Sequence, residues 1–147
     1  MKFGVGIVPH NLDETAVSAK LAEDQGFDYI GIPDSQSLWR ELYLSLSVVA
    51  NATSKVRIGP TVTNALTRHP AVTASAIATL NEISSGRAFL GVGSGDSAVL
   101  NLGLRPAKMA DMREYIQAVR TILFCLLYTS DAADEGLGVD LGGRRII

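Results

Sequence analysis

One stretch, Arg57 to Asp96, limits the folds open to this chain more than any other. A short β-rich run, Val56-Arg57-Ile58-Gly59, breaks at Pro60 and resumes through Thr61-Val62-Thr63-Asn64. A polar loop, Thr67-Arg68-His69, leads to Pro70, which opens an amphipathic helix closing at Ser84-Ser85-Gly86. An apolar strand, Ala88 to Val92, follows and ends in Gly93-Ser94-Gly95-Asp96. Strand, loop, helix, strand and glycine loop in that order make a βαβ unit of a parallel sheet. Its polar and glycine-rich residues gather just past the strands' C-terminal ends, where α/β barrels keep their chemistry.

The rest of the chain repeats this unit. Lys2 to Val8 reads as a buried strand, left through Pro9-His10-Asn11. Asn11 with Glu14 resembles a capping box, so a helix is expected from about Asp13 to Gln25, stopped by Gly26. Its inner stripe is read as Leu12, Ala16, Ala19 or the stem of Lys20, and the turn from Ala22 to Glu23, flanked by Val17 and Leu21. Tyr29 to Ile32 is the second strand, Pro33-Asp34-Ser35-Gln36-Ser37 the loop past its end, and Leu42, Leu46 and Val49 mark a second helix ending near Asn51. After the fourth strand, Leu102 to Pro106 leads into a helix with Met109, Met112, Ile116, Val119 and Leu123 inward, ending at about Phe124.

Strands thus begin near residues 3, 28, 56 and 88. Four consecutive βα units of this size are what a (β/α)₈ barrel of about 250 residues is built from, so the fold class is α/β, half of a barrel with parallel strands. A four-unit flavodoxin-like open sheet shares the period and is the alternative.

Charge and cysteine content exclude several classes of function. Thirteen basic against fifteen acidic residues give a net charge of −2 with no basic block, which speaks against nucleic acid or an anionic membrane as partner. The single cysteine, Cys125, permits no internal disulfide. No apolar run reaches the roughly 18–20 residues of a membrane helix, and the N-terminus lacks a signal-peptide core, so a cytoplasmic location is expected.

Four loops past strand ends carry the candidate chemistry. Asp34 is placed to bind a hydroxyl or act as a base, or else to accept within a turn. Gly91, Gly93 and Gly95 would let backbone N–H groups approach a ligand, although their spacing is not the GxGxxG of dinucleotide folds. Asp96 could be an acid, a polar anchor or a cap for a short helix. His69 and His10 are isolated and form no metal-ligand spacing, so no metal is expected. Trp39, Tyr29 and Phe89 read as packing residues.

These residues resemble a known family. The opening Met1-Lys2-Phe3-Gly4-Val5, the run Gly31-Ile32-Pro33-Asp34-Ser35, the run Thr61 to Asn64 continuing through Thr67-Arg68-His69-Pro70-Ala71-Val72-Thr73-Ala74, and the run Ser85-Gly86-Arg87 to Asp96 look like the luciferase-like monooxygenase superfamily. Within it they are most similar to the F420-dependent reductases of the methylenetetrahydromethanopterin reductase type. The resemblance implies a barrel binding FMN or the deazaflavin F420 at the strands' C-terminal mouth and transferring a hydride to or from a small organic substrate. It implies a cofactor site of Asp34, Thr61, Val62, Asn64, Gly93, Ser94, Gly95 and Asp96, with Asp34 and Asp96 as the catalytic carboxylates. It also implies a non-proline cis peptide at Thr61-Val62. Two positions depart from the pattern: Gly6, where many such reductases carry an acidic residue, and Ser35, where F420-dependent sugar-phosphate dehydrogenases carry a histidine.

The resemblance covers residues 1–123. The segment 124–147 resembles translated sequencing-adapter read-through, so the natural protein is expected to continue differently after about Leu123, with the tail artefactual or disordered. A half barrel is expected to be inactive alone, and its open edges to favour homo-oligomers. A non-catalytic half-barrel that pairs with itself or a partner chain is the alternative function, and an unrelated phosphate-using barrel a third. In the complete protein, replacing Asp34 by alanine is expected to weaken deazaflavin or flavin turnover without unfolding it.

Overall fold

The computed structural model describes residues 1–132. Its elements run β1 (Gly4–Gly6), α1 (Leu12–Asp24), β2 (Tyr29–Ile32), α2 (Leu42–Ala52), β3 (Arg57–Pro60), β4 (Thr63–Asn64), α3 (Pro70–Ile83), β5 (Val92–Gly93), α4 (Ser97–Leu100) and α5 (Met109–Ala132). Strands β1, β2 and β3 pair in parallel, with Val5, Ile30 and Ile58 in one register row. The fourth strand lies alongside the third in two pieces. Ile58 bridges Ala88, the Phe89 N–H donates to the Ile58 carbonyl at 2.9 Å, and β5 pairs in parallel with β4. The single strand expected over 88–92 is split because its partner breaks at Thr61-Val62, whose peptide bond is cis.

Alternation sends one face of the strands to the helices. Ile30, Ile32 and Ile58 are fully buried and pack with Leu42, Leu46 and Val49 of α2, Ala19 and Ala22 of α1, and Ile77 and Leu80 of α3. On the other face Gly6, Gly31 and Gly59 form a register row. A Cβ at Gly31 would stand 2.1 Å from Thr61 Oγ1, so only glycine lets the Thr61 side chain approach β2 this closely.

Local signals set the helix ends. Asn11 Oδ1 accepts from the Asp13 and Glu14 N–H groups at 2.9 and 3.3 Å, the N-cap anticipated for α1, and Gly26 follows its end with φ +82°. His69 caps α3, its Nδ1 accepting from the Ala71 N–H at 3.2 Å.

Two inner stripes differ from expectation. On α1 the buried residues are Thr15, Ala19 and Ala22, whereas Val17 and Leu21 are exposed. Thr15 tolerates burial because its hydroxyl donates to the Asn11 carbonyl at 2.6 Å. On α5 Tyr115 and Val119 are buried, while Met109 is 75 % and Ile116 39 % exposed. Tyr115 turns inward because its hydroxyl meets buried Thr73 Oγ1 at 2.5 Å. Helix α5 also runs past Phe124 to Ala132, since nothing between Lys108 and Ala132 is glycine or proline. Residues 133–147 of the expected tail lie outside the described residues.

Two charged side chains clamp the N-terminal ends of the strands. The Glu23 carboxylate accepts from the N–H groups of Ser54, Lys55 and Val56 at 2.7–3.1 Å. Arg87 donates to the carbonyls of Ala50, Thr53, Val56 and Ser84 at 2.7–3.0 Å, joining the C-terminal ends of α2 and α3 to β3. Burial pushes the Glu23 pKa up, but the three backbone donors outweigh it and hold it at about 2. The carboxylate therefore contributes stability that is complete above its unfolded-state pKa and is lost as pH falls toward about 2. Glu23→Gln should cost about 2 kcal/mol near neutral pH, the scale of hydrogen bonds to a charged group. In urea denaturation, the gap between variant and wild type should close as pH falls from above 4.5 toward about 2.

Candidate functional site

A cleft of about 390 Å³ opens at the C-terminal ends of the strands, lined by residues 33, 34, 39, 61–64 and 93–98. All eight residues expected to form the site therefore meet in one place, although they come from three separate loops. Gly95 makes the tightest part of the rim. Its φ is +101°, and a Cβ there would stand 2.3 Å from Val99 Cγ2, so both backbone and space demand glycine. Val62, beside the cis peptide, is half-exposed and gives the cleft an apolar wall.

The two candidate carboxylates sit differently. Asp34 is buried, its side chain only 2 % exposed. Its Oδ2 accepts from Thr63 Oγ1 at 2.7 Å and also from Arg68 Nη1. Arg68 extends its other arm, Nη2, to Glu41 Oε1 at 2.8 Å and lies over the Tyr43 ring at 5.4 Å. Burial by itself lowers the Arg68 pKa, but Asp34 and then Glu41 more than offset it and hold the guanidinium above its ordinary value. Asp34 is thus one half of a buried ion pair. Removing its charge would leave Arg68 paired with Glu41 alone, a cost in stability that adds to the loss of turnover expected from the sequence.

Asp96 is exposed at the rim. It occupies the N-cap position of α4, yet its side chain makes no capping hydrogen bond. Asn64 lines the same cleft, 2 % exposed, and its Oδ1 accepts from the Leu66 and Thr67 N–H groups at 3.0 and 2.9 Å. Its Nδ2 has no partner among the described residues.

Sequence reasoning missed two residues here. Trp39, read as a packing residue, lines the cleft, donating Nε1–H to the Pro33 carbonyl at 3.0 Å and meeting His10 edge-on at 6.3 Å. Arg68 was visible only as part of a polar loop, because its partners Asp34 and Glu41 lie far away in sequence. Behind it, burial pushes the Tyr43 phenol up to about 12 against the pull of Arg68, so Tyr43 remains neutral at ordinary pH. Among the described residues no group of three or more His, Cys, Asp or Glu could hold a metal ion.

The profile of the luciferase-like monooxygenase family matches residues 1–134. This chain belongs to that family. A 5,10-methylenetetrahydromethanopterin reductase from Archaeoglobus fulgidus is 43% identical over 125 residues, covering 83% of this chain and 37% of the relative. Among solved structures, the coenzyme F420-dependent tetrahydromethanopterin reductase from Methanopyrus kandleri superimposes with a TM-score of 0.72 at 34% identity, over 84% of this chain and 39% of that one. The FMN complex of the oxygenating constituent of 3,6-diketocamphane monooxygenase from Pseudomonas putida gives a TM-score of 0.66 at 25% identity, over 83% and 40%. The chain spans well under half the length of these relatives, and its fold is that share of a luciferase-like (β/α)₈ barrel.

Gly95→Ala tests the rim directly. Forcing alanine into this backbone region costs on the order of 1–3 kcal/mol. The variant should unfold at lower urea by a matching amount, whereas unchanged stability would mean that the turn relaxes without penalty.

Proposed function

We propose that this chain forms part of the cofactor cleft of an oxidoreductase that moves a hydride between F420 or FMN and a small organic substrate. The observation that carries this reading is the convergence of Asp34, Thr61 to Asn64 and Gly93 to Asp96 on one cleft, with Trp39 as a flat wall. The cleft suits such a group: its volume lies in the range of small-molecule sites, its lining is half apolar, and Asn64 keeps an unspent donor. The names of the relatives favour F420 over FMN and a reduced pterin as substrate. When bound, the cofactor supplies the hydride chemistry. Thr61 and Val62 would lie against the ring, Gly93, Ser94 and Gly95 would border it through backbone, and Asn64 would donate to it. Asp96, exposed and making no capping hydrogen bond, would be the carboxylate open to the substrate, while Asp34 would accept a hydrogen bond without leaving its ion pair.

A second reading, a non-catalytic half-barrel that pairs with itself or a partner chain, is favoured by one observation. Leu90, Val92, Ile116 and Leu123 line an open groove beside β5, next to exposed Met109.

Trp39, the single tryptophan, reports on the cleft. Titrating the chain with F420 and with FMN should quench its fluorescence saturably, with F420 acting at lower concentration. A dimer by light scattering that responds to neither cofactor would replace the oxidoreductase reading with the half-barrel one.

A further inference from the structure

We propose that Arg68 is a positioning residue for this cleft, orienting Asp34 so that one carboxylate oxygen is reserved for a ligand N–H or O–H. The inference rests on the reading of the cleft as a cofactor site and assigns a role to a residue outside the eight that line it as expected.

The geometry supports an asymmetric carboxylate. Both protein donors that reach Asp34, Thr63 Oγ1 and Arg68 Nη1, converge on Oδ2. Among the described residues Oδ1 accepts from no protein group, although it belongs to a residue that lines the cleft. A buried carboxylate with one oxygen held and the other unengaged is an acceptor awaiting a donor. The held side is fixed in turn from outside the cleft. Arg68 is a rigid planar fork, and its second arm is fastened to Glu41 Oε1 at 2.8 Å. Glu41 is anchored as well, since its Oε2 caps α2 by accepting from the Leu44 N–H at 2.8 Å. Glu41 is thus held between the start of α2 and Arg68, and Arg68, fastened to Glu41, sets which way Asp34 faces. The guanidinium also lies over the Tyr43 ring at 5.4 Å, a further contact on the fork.

Lysine separates charge from fork. Arg68→Lys keeps a cation against Asp34 but cannot reach Glu41 and Asp34 in the same geometry. The variant should stay folded by circular dichroism yet bind F420, or FMN, about tenfold more weakly, as small misplacement at a site does. Asp34→Asn, compared at a temperature where circular dichroism shows every variant folded, should weaken binding to a similar degree, and the double variant no further, because the two act as one unit. Binding by Arg68→Lys within twofold of wild type, or single effects that multiply in the double variant, overturns the proposal.

A readout without ligand separates this from failure of the cofactor reading. If the wild type binds neither FMN nor F420, that reading falls, and the positioning chain is judged by amide exchange alone. Arg68→Lys should then speed exchange at Leu44 roughly tenfold, the scale of a lost helix cap, and leave the Asn11-capped Glu14 amide unchanged. Unaltered exchange at Leu44 overturns the chain of contacts. Should Arg68→Lys fail to fold, Glu41→Ala takes its place, since Glu41 is surface-exposed. It should weaken cofactor binding while leaving Asp34 paired, and binding equal to wild type would overturn the proposal.

Discussion

The ion pair between Asp34 and Arg68 holds together the end of the fold that carries the cleft. Asp34 follows the second strand, and Arg68 lies in the loop before the third helix. Their pairing, shared with Thr63 beyond the cis peptide, joins two loops that lie far apart in sequence. A carboxylate this deeply buried is tolerated only because a cation and a hydroxyl satisfy it. The same arrangement explains why the cleft can be polar at its floor and apolar at the Val62 wall.

The opposite end of the fold is secured differently. There Glu23 and Arg87 bond to backbone N–H and carbonyl groups, closing helix ends onto strand starts. A charged side chain that satisfies several backbone groups stabilises a junction that apolar packing cannot reach, because those groups need partners. The division matches the logic of barrels, with stability residues at the N-terminal face and chemistry at the C-terminal face.

Much of this was legible in the residues. Period, caps and the Gly26 stop follow from local rules, so β2 and the span of α3 were readable within a residue or two. The convergence of Asp34, Asn64 and Asp96 followed from placing each loop past a strand end. Long-range pairing was not legible. Tyr115 takes the inner face of α5 from Met109 and Ile116 because Thr73 answers its hydroxyl, and nothing near Tyr115 in sequence shows that. The helix carries two apolar stripes, and periodicity alone cannot choose between them. Arg68 was hidden for the same reason, its meaning residing in partners about thirty residues away. Nothing near Glu23 in sequence shows the three amides that its carboxylate meets, about thirty residues away.

The most direct test of the central claim is residue-resolved mapping of cofactor contact on the chain, by amide nitrogen–proton chemical shifts with F420 and FMN added in turn. The account predicts saturable shifts concentrated at Asp34, Thr61 to Asn64 and Gly93 to Ala98, with the Asn64 side-chain amide among them. Shifts confined to the opposite end, around Lys2, Tyr29 and Arg57, or no shifts with either cofactor, would contradict it.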